Sequence, residues 1–430
     1  MMTYLPEHAE TVFTYGSPQL KFGPGASAEI GHDLRQLGAR RVLVVTDPGV
    51  AATGSPGRVA EQLATFGIVA VVHDSARVEP TDASLLVAID RARADGPFDA
   101  FVAVGGGSSI DTAKAVNLML TNPGELLDYV NAPVGGGLAP PNALAPLVAV
   151  PTTTGTGAES TTICVLDVLD QHVKTGISHP RLRPVLAVVD PLLTLTQPAG
   201  VTASAGMDIL CHALESWTAR PYTSYEQKTA DQRVPYCGAN PISDLWSEKA
   251  MRLLSTAFRP AVLEGDPASR SDMSMAATFA GLGFGNAGVH VPHANAYPIA
   301  GRVTDFHPVD YPAGESMVPH GMAVSLTAPE AFRWTFESNP ERHLSAAGFL
   351  DPRAEAGDDP AGLLPRVLCD LMRDIGLPNG TDAVGFGSGD TDALVEGALK
   401  QQRLLATSPR PVEADDLAGI FERSLRLWER

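Results

Sequence analysis

The first half of the chain alternates short β-branched runs with helical segments, and this alternation constrains the fold more than any other feature. The segments are RVLVVTD, SPGRVAEQLATFG, IVAVVHD, ASLLVAIDRARADG, DAFVAVGGG and SSIDTAKAVNLML. Apolar runs without polar alternation predict strands covered on both faces, as in a parallel sheet. We therefore expect a doubly wound, Rossmann-like α/β domain.

The second half of the chain lacks such runs and consists of helical patterns. The change near residue 195 predicts two domains, an α/β domain in residues 1–195 and an all-α domain in residues 196–430. A polar, turn-rich stretch between Pro221 and Pro241 is expected to be a surface excursion between two helices.

Charge and cysteine content narrow the possible partners and compartment. The chain has 31 Lys and Arg against 49 Asp and Glu, a formal net charge of −18. A field of this sign repels nucleic acid and anionic membranes, and no apolar stretch approaches the roughly 20 residues that span a bilayer. Four separated cysteines predict a reducing compartment, and the first residues resemble neither an export signal nor a transit peptide. We expect a cytoplasmic protein without nucleic-acid or membrane partners.

Two glycine motifs compete as a nucleotide site. Gly23–Ala28 matches G-x-G-x-x-A and has Asp47 about 20 residues further on. The rival motif, Gly105-Gly106-Gly107-Ser108, directly follows a predicted strand and opens a helix. Consecutive glycines let backbone N–H groups approach a phosphate at a helix N-terminus, whereas Pro24 removes such a donor. We favour the triple glycine.

A threonine-rich loop follows the next predicted strand. Thr152, Thr153 and Thr156 suit contacts with a ribose or an amide, although an ordinary polar loop would have the same composition. Asp47 ends a predicted strand, where a carboxylate can accept hydrogen bonds from a ribose diol and repel a 2′-phosphate. This position favours NAD over NADP.

Four residues have the types and spacing of metal ligands. Asp208 and His212 lie i, i+4 on one helical face, and His293 and His320 belong to VPHANAYP and VPHG. One carboxylate and three imidazoles suit Fe(II) or Zn(II). Simpler interpretations exist for these residues. A single buried histidine is usually a hydrogen-bonded core residue, and Asp208 and His212 could be an ordinary i, i+4 pair on a helix surface. His290, three residues before His293, is close enough in sequence to act on a substrate.

The motifs GGGSSIDTAK, PTTTGTGAE, GMDILCHALES, VPHANAYP and VPHG together resemble the iron-containing alcohol dehydrogenase family. Segments such as RVEPTD, GANPISDLW and GFGNAGVH resemble its hydroxyacid-oxoacid transhydrogenase branch most. The resemblance implies an N-terminal dinucleotide-binding domain, a helical metal-binding domain, NAD(H), and one divalent metal, Fe(II) with Zn(II) as the alternative. We also expect a homodimer.

The resemblance assigns roles by motif. It implies metal ligation by Asp208, His212, His293 and His320, and cofactor binding by Asp47, Gly105, Gly106, Gly107, Ser108, Thr152, Thr153, Thr156 and Lys174. Many alcohol-active members have a second histidine where this chain has Tyr297, so the proton relay is open among water, Tyr297 and His290.

The implied activity is hydride transfer between an alcohol or hydroxyacid and NAD(H). In the transhydrogenase version, retained cofactor carries hydride from a hydroxyacid such as 4-hydroxybutyrate to an oxoacid such as 2-oxoglutarate, with Arg302, Arg220 or His290 near the substrate carboxylates. A metal-free reductase of the maleylacetate type, a metal-dependent hydrolase and a non-catalytic binding protein remain alternatives.

Overall fold

The computed structural model describes residues 8–171, 173–311, 314 and 316–429. These residues form two compact units. The first is Ser17–Gln197, and the second contains the described residues up to Gly16 and those from Pro198 onward. The N-terminal segment thus groups with the helical half of the chain, which differs from the predicted assignment of residues 1–195 to one domain.

A six-stranded parallel sheet forms the centre of the first unit, with the strand order β1-β8-β5-β4-β2-β3. Strands β6 and β7 form a separate antiparallel hairpin. The strands are β1 (Gln19–Phe22), β2 (Arg41–Val45), β3 (Val69–His73), β4 (Ala100–Gly105), β5 (Leu147–Pro151), β6 (Ile163–Val168), β7 (Val173–Ser178) and β8 (Leu186–Val189).

Helices cover this sheet on both faces because alternate strand residues belong to two different cores. Leu43 and Phe101 pack in one core with Ile89 and other apolar side chains of α4 and α5. Val42 and Val102 pack in the other, with the side chains of α1 and α3. The helices are α1 (Ile30–Gln36), α2 (Pro48–Ala52), α3 (Ser55–Thr65), α4 (Asp82–Asp95), α5 (Gly107–Thr121) and α6 (Leu126–Tyr129). The doubly wound prediction is confirmed.

The second unit is helical throughout its regular structure. Its helices are α7 (Ala199–Thr218), α8 (Pro241–Leu263), α9 (Pro267–Ala287), α10 (Val291–Arg302), α11 (His320–Ser325), α12 (Ala328–Thr335), α13 (Pro340–Leu350), α14 (Leu363–Asp374), α15 (Thr391–Leu399), α16 (Gln402–Leu405) and α17 (Ala414–Arg423). Met207, Phe258 and Met273 bring α7, α8 and α9 into one core. Asn240 and Asp266 cap α8 and α9 by accepting from the backbone N–H groups of the first turns.

The polar stretch between α7 and α8 contains two short 3₁₀ turns. It also forms hydrogen bonds with the N-terminal segment. Glu10 donates its backbone N–H to Tyr225 O at 2.8 Å, and its carboxylate accepts from Lys228 N and from the Arg233 guanidinium. This agrees with the predicted excursion between two helices. Within the described residues, no helix combines the length and apolar character needed to cross a bilayer.

Candidate metal centre and cofactor cradle

Helix α7 presents three polar residues on one buried face. Asp208, His212 and Glu215 follow at intervals of four and three residues, so one turn separates each from the next. Their relative exposures are 2%, 4% and 0%. A buried face with two carboxylates requires compensating partners, because an isolated buried charge is very unfavourable.

Three imidazoles converge on one oxygen of this face. The Nε2 atoms of His212, His293 and His320 lie 3.7, 3.5 and 3.8 Å from Asp208 Oδ1. These separations are too long for hydrogen bonds. They suit ligand atoms that share one ion, since two atoms each about 2.1 Å from a tetrahedral centre lie roughly 3.4 Å apart.

The donor atoms of this cluster also fit a divalent cation. Asp208 Oδ1 and His293 Nε2 are buried and have no hydrogen-bond partner among the described residues. One ligand atom from each of Asp208, His293 and His320 lies within 4.8 Å of the others. His212 stacks on Phe284 with a centroid separation of 3.8 Å, which fixes its ring. A carboxylate with three imidazoles is a ligand set for Fe(II) or Zn(II). The structure thus brings Asp208, His293 and His320 together and also places His212 Nε2 3.7 Å from Asp208 Oδ1.

A close helix contact brings His320 into this cluster. Helix α11 begins at His320, and the next residue, Gly321, lies directly against α7. A Cβ at Gly321 would lie 2.1 Å from Ser204 O and 2.8 Å from the Cβ of Asp208. Ser204 Oγ also accepts from Met322 N at 3.0 Å. Glycine is therefore required at this position for α11 to approach Asp208.

Glu215 lies beside the ligand cluster, although the sequence motifs did not indicate it as a candidate site residue. Its Oε1 accepts from the backbone N–H groups of His290 and His293 at 2.8 and 3.1 Å. Its Oε2 forms a short hydrogen bond with His293 Nδ1. Its position three residues after His212 could have indicated a third member of the same helical face.

Burial and charge set opposite protonation preferences among the ligands. Burial lowers the pKa of His212 to about 3. Burial also lowers the pKa of His293, but the carboxylates of Glu215 and Asp208 outweigh this effect and raise it to about 9. Burial raises the pKa of Asp208, yet the three neighbouring imidazoles hold it well below its usual range. A cation in this cluster would compete with a proton for His293 Nε2.

The two predicted proton-relay residues have different surroundings. His290 is fully buried, its Nε2 lies 3.0 Å from Thr218 Oγ1, and burial lowers its pKa to about 4. Tyr297 lies one turn after His293 on α10, and its ring centroid is 6.2 Å from that of His320. Tyr297 thus lies beside a candidate metal ligand, whereas His290 lies beside Thr218.

The two arginines considered for substrate carboxylates are not placed at the ligand cluster. Arg220 donates to Ser224 and lies over the ring of Tyr225. Arg302 ends α10, more than two helical turns after His293.

In the first unit, the triple glycine connects β4 to the N-terminus of α5, a helix of 15 residues. The N-cap residue, Gly106, offers no side-chain hydrogen bond, so the first-turn N–H groups are available to an anion. Cβ atoms at Gly106 and Gly107 would lie 3.0 Å from Thr153 Oγ1 and 2.7 Å from Thr156 Cγ2. The glycine turn and the threonine loop therefore form one cradle.

The same neighbourhood contains Thr152 and Asp47. Thr152 donates its backbone N–H to Gly105 O at 3.0 Å, and its buried Oγ1 has no partner among the described residues. Asp47 Oδ1 caps α2 by accepting from Val50 N at 3.0 Å, and Oδ2 accepts from Ser109 Oγ at 2.9 Å. Asp47 thus stabilises the local structure through these two hydrogen bonds. A contact with a ribose would be an additional role of the same carboxylate.

Lys174 is connected to the cradle through a carboxylate. Its Nζ lies 2.5 Å from Glu79 and 3.1 Å from Asp167. Burial opposes the charged form, but both carboxylates outweigh it and raise the pKa of Lys174. Glu79 donates its backbone N–H to Ser108 Oγ at 3.1 Å. Lys174 therefore forms ion pairs within this unit that were not expected for a residue predicted to contact the cofactor.

Lys114 is a second residue that sequence reasoning missed. This fully buried lysine of α5 donates to Ala158 O, Thr161 Oγ1 and Ile163 O at 2.6–3.0 Å. These acceptors belong to the end of the threonine loop and the start of β6. The sequence feature that could have indicated this role is the single lysine among the apolar residues of GGGSSIDTAKA.

The rival motif at Gly23–Ala28 binds a carboxylate of the chain itself. Asp190 accepts from Gly25 N at 3.0 Å and from Ser27 Oγ at 2.6 Å. The N–H donors of this turn are thus occupied by a side chain, as in a structural turn.

A dinucleotide-type α/β unit followed in the same chain by a helical unit with an Asp–His₃ cluster defines a metal-dependent dehydrogenase class. Residues 17–191 match the family model "Iron-containing alcohol dehydrogenase", and residues 202–425 match "Fe-containing alcohol dehydrogenase family, C-terminal". The chain belongs to the iron-containing alcohol dehydrogenase family and is an oxidoreductase.

Curated relatives and solved structures agree with this assignment. The mitochondrial hydroxyacid-oxoacid transhydrogenase of Bos taurus is 42% identical over 415 residues, which cover 95% of this chain and 89% of the relative. That of Xenopus laevis is 43% identical and covers 97% of this chain and 91% of the relative. The solved 1,3-propanediol oxidoreductase has a TM-score of 0.82 at 29% identity, covering 96% of this chain and all of that one. An alcohol dehydrogenase from Oenococcus oeni has a TM-score of 0.82 at 27% identity, with the same coverage.

These relatives contradict one prediction. The chain was expected to be cytoplasmic, but the curated relatives are mitochondrial enzymes. The prediction was wrong because acidic charge and unpaired cysteines suit any reducing compartment, the mitochondrial matrix included, and so could not select the cytoplasm.

Proposed function

We propose that the protein is a hydroxyacid-oxoacid transhydrogenase, in which NAD(H) stays bound while hydride passes from a hydroxyacid to an oxoacid. The observation that carries this proposal is identity of about 42% to transhydrogenases over nearly the whole chain. The Asp–His₃ cluster and the glycine–threonine cradle support it, since the reaction needs both a Lewis acid and a hydride carrier.

Asp208, His212, His293 and His320 would hold the cation. When bound, the cation supplies a Lewis acid that polarises the substrate oxygen, and the nicotinamide supplies the hydride acceptor and donor. The rings of His212 and His293 are packed and buried, so α7 and α10 would orient these two ligand atoms before any ion arrives, whereas the ring of His320 is partly exposed. We propose Fe(II) as the native cation, with Zn(II) as the alternative.

Gly105, Gly106, Gly107 and Ser108 would hold the cofactor pyrophosphate, with Thr152, Thr153 and Thr156 beside it. The uncapped first turn of α5 supports this assignment because its N–H groups and helix dipole attract an anion. Asp47 would accept from a ribose hydroxyl, and its charge would disfavour the 2′-phosphate of NADP. Lys174 would act through Glu79, whose backbone contacts Ser108.

Tyr297 would move the proton that the substrate hydroxyl loses, with Oη as the transferring atom. Its place one turn after His293 supports this role. His290 suits it less, because its buried Nε2 already pairs with Thr218 Oγ1. We also propose that the protein is a homodimer, which light scattering on the purified enzyme would test.

A hydride-tracing experiment tests the transhydrogenase. Enzyme purified without oxygen receives 4-hydroxybutyrate deuterated at the carbinol carbon together with 2-oxoglutarate and no added NAD(H). The hydroxyacid loses deuteride and a proton to become the semialdehyde, and the oxoacid gains both to become 2-hydroxyglutarate. We expect deuterium at the new carbinol carbon and no free NADH by absorbance at 340 nm.

Two results would contradict this proposal. Turnover that requires added NAD(H) and releases it in each half-reaction would identify a free dehydrogenase. Absence of any reaction in enzyme that retains metal and bound cofactor would exclude this substrate pair.

A further inference from the structure

Glu215 connects the start of α10 to the ring of His293. The carboxylate is fully buried on α7. One oxygen accepts two backbone N–H groups, those of His290 and His293, and the other bonds to His293 Nδ1. One side chain thus holds both the helix that carries His293 and the orientation of its imidazole.

The chemistry of this contact restricts how His293 can be protonated. A carboxylate only accepts hydrogen bonds, so His293 Nδ1 must carry a hydrogen to bond with it. When the ring is neutral, its lone pair is then on Nε2, which lies 3.5 Å from Asp208 Oδ1. This is the atom that faces the candidate metal centre.

We propose that Glu215 is a positioning residue that keeps the lone pair of His293 directed at the metal centre. The proposal rests on the proposed function, in which His293 is a metal ligand. Metal-ligating histidines commonly donate their other ring N–H to a carboxylate or carbonyl, and loss of that partner typically weakens metal binding by about 10–100-fold.

Glutamine at this position separates the positioning role from the structural one. In Glu215→Gln, the amide oxygen can still accept the two backbone N–H groups. The amide NH₂ then faces His293 Nδ1 and requires a lone pair there, which places the ring hydrogen on Nε2. Glu215→Asp keeps a carboxylate that only accepts. A purely structural role therefore favours Gln over Asp, whereas the positioning role favours Asp over Gln.

The experiment measures binding of Zn(II) and Co(II) to metal-free wild type, E215Q, E215D and S216A. Ser216 is the matched control, since it is buried on the same helix but bonds to Ser247 of α8 at 2.9 Å. Chelator competition gives the affinities, Co(II) absorption reports the ligand field, and thermal melting of the metal-free proteins reports folding.

We expect E215Q to melt within a few degrees of wild type and to bind Zn(II) about 10–100-fold more weakly, with an altered Co(II) spectrum. E215D should bind better than E215Q, and S216A should bind as wild type does. Wild-type affinity in a folded E215Q, or weaker binding by E215D than by E215Q, would overturn the proposal.

Two further outcomes remain decisive. If E215Q does not fold, E215D decides: binding within about tenfold of wild type supports the positioning role, and a folded E215D without metal overturns it. If wild type itself binds neither ion, the proposed metal-dependent function fails, which is distinguishable from failure of the role of Glu215 alone.

Discussion

Replacing Gly321 by alanine tests the helix contact that brings His320 to the ligand cluster. The added Cβ would lie 2.1 Å from Ser204 O and 2.8 Å from the Cβ of Asp208. The shortest ordinary C···O contact is about 3.3 Å, so α11 must move away from α7 by about 1 Å. The obstacle on α7 is a backbone oxygen, which cannot rotate out of the way as a flexible side chain can.

Two opposing free-energy contributions decide the size of the effect. Overpacking typically costs about 1–3 kcal/mol, whereas alanine gains up to about 1 kcal/mol over glycine in a helix interior. We expect the steric cost to prevail and the free energy of unfolding to fall by about 1–2 kcal/mol. A ligand shift of about 1 Å also exceeds the tolerance of about 0.2 Å in metal sites. Metal affinity should therefore fall by tenfold or more.

Gly301→Ala provides the matched control. Gly301 lies in α10, is exposed, and would place its Cβ with no atom within 4 Å. Alanine there should stabilise the protein by about 0.5–1 kcal/mol and leave metal affinity unchanged. Calorimetry of the metal-free proteins and chelator competition measure the two effects. A Gly321→Ala protein with wild-type melting temperature and wild-type metal affinity would show that the contact between α11 and α7 does not position His320.

Three further substitutions test the first unit. Asp47→Asn keeps an acceptor for the cap of α2 but removes the charge, so the affinity of cofactor-free enzyme for NADPH relative to NADH should rise about tenfold. This factor corresponds to a third of the roughly 4 kcal/mol repulsion between like charges at about 4 Å. An unaltered ratio would show that Asp47 does not face the ribose. Gly106→Val should abolish NADH binding in a fluorescence titration, because the side chain fills the cradle beside Thr153; unchanged affinity would return attention to Gly23–Ala28. Lys114→Met leaves the buried carboxylate of Asp111 and three buried oxygens without their cation, so we expect about 3–5 kcal/mol lower stability by urea denaturation, with weaker NADH binding and metal content retained. Wild-type stability would show that the lysine is not needed to hold the threonine loop.

The alternation of apolar runs and helical patterns predicted the architecture because a sheet covered on both faces needs continuous apolar strands. Strand β4, Ala100–Gly105, is buried along its whole length. The hairpin of β6 and β7 was missed because its pattern is interrupted by Asp167 and Lys174, which pair with each other. The pairing of a carboxylate in one strand with a lysine in the next is visible only after the strands are aligned.

The candidate metal ligands could be predicted because each belongs to a short motif with local spacing. Other contacts depend on residues far apart in sequence. Asp190 occupies the donors of Gly25 and Ser27, more than 160 residues earlier. Glu215 reaches His293, 78 residues later. No local sequence pattern indicates such a pairing. The structural role of the Gly23–Ala28 turn and the contact of Glu215 with His293 could therefore be recognised only in the folded structure.

We propose that the helical unit binds the metal through Asp208, His212, His293 and His320, and that the α/β unit binds the cofactor. Measuring bound metal by elemental analysis and NADH affinity by fluorescence in His293→Ala tests it most directly. We predict that the variant, purified without oxygen, loses its metal and its turnover but binds NADH as wild type does. Metal retained at wild-type stoichiometry in His293→Ala would contradict this assignment of the ligands.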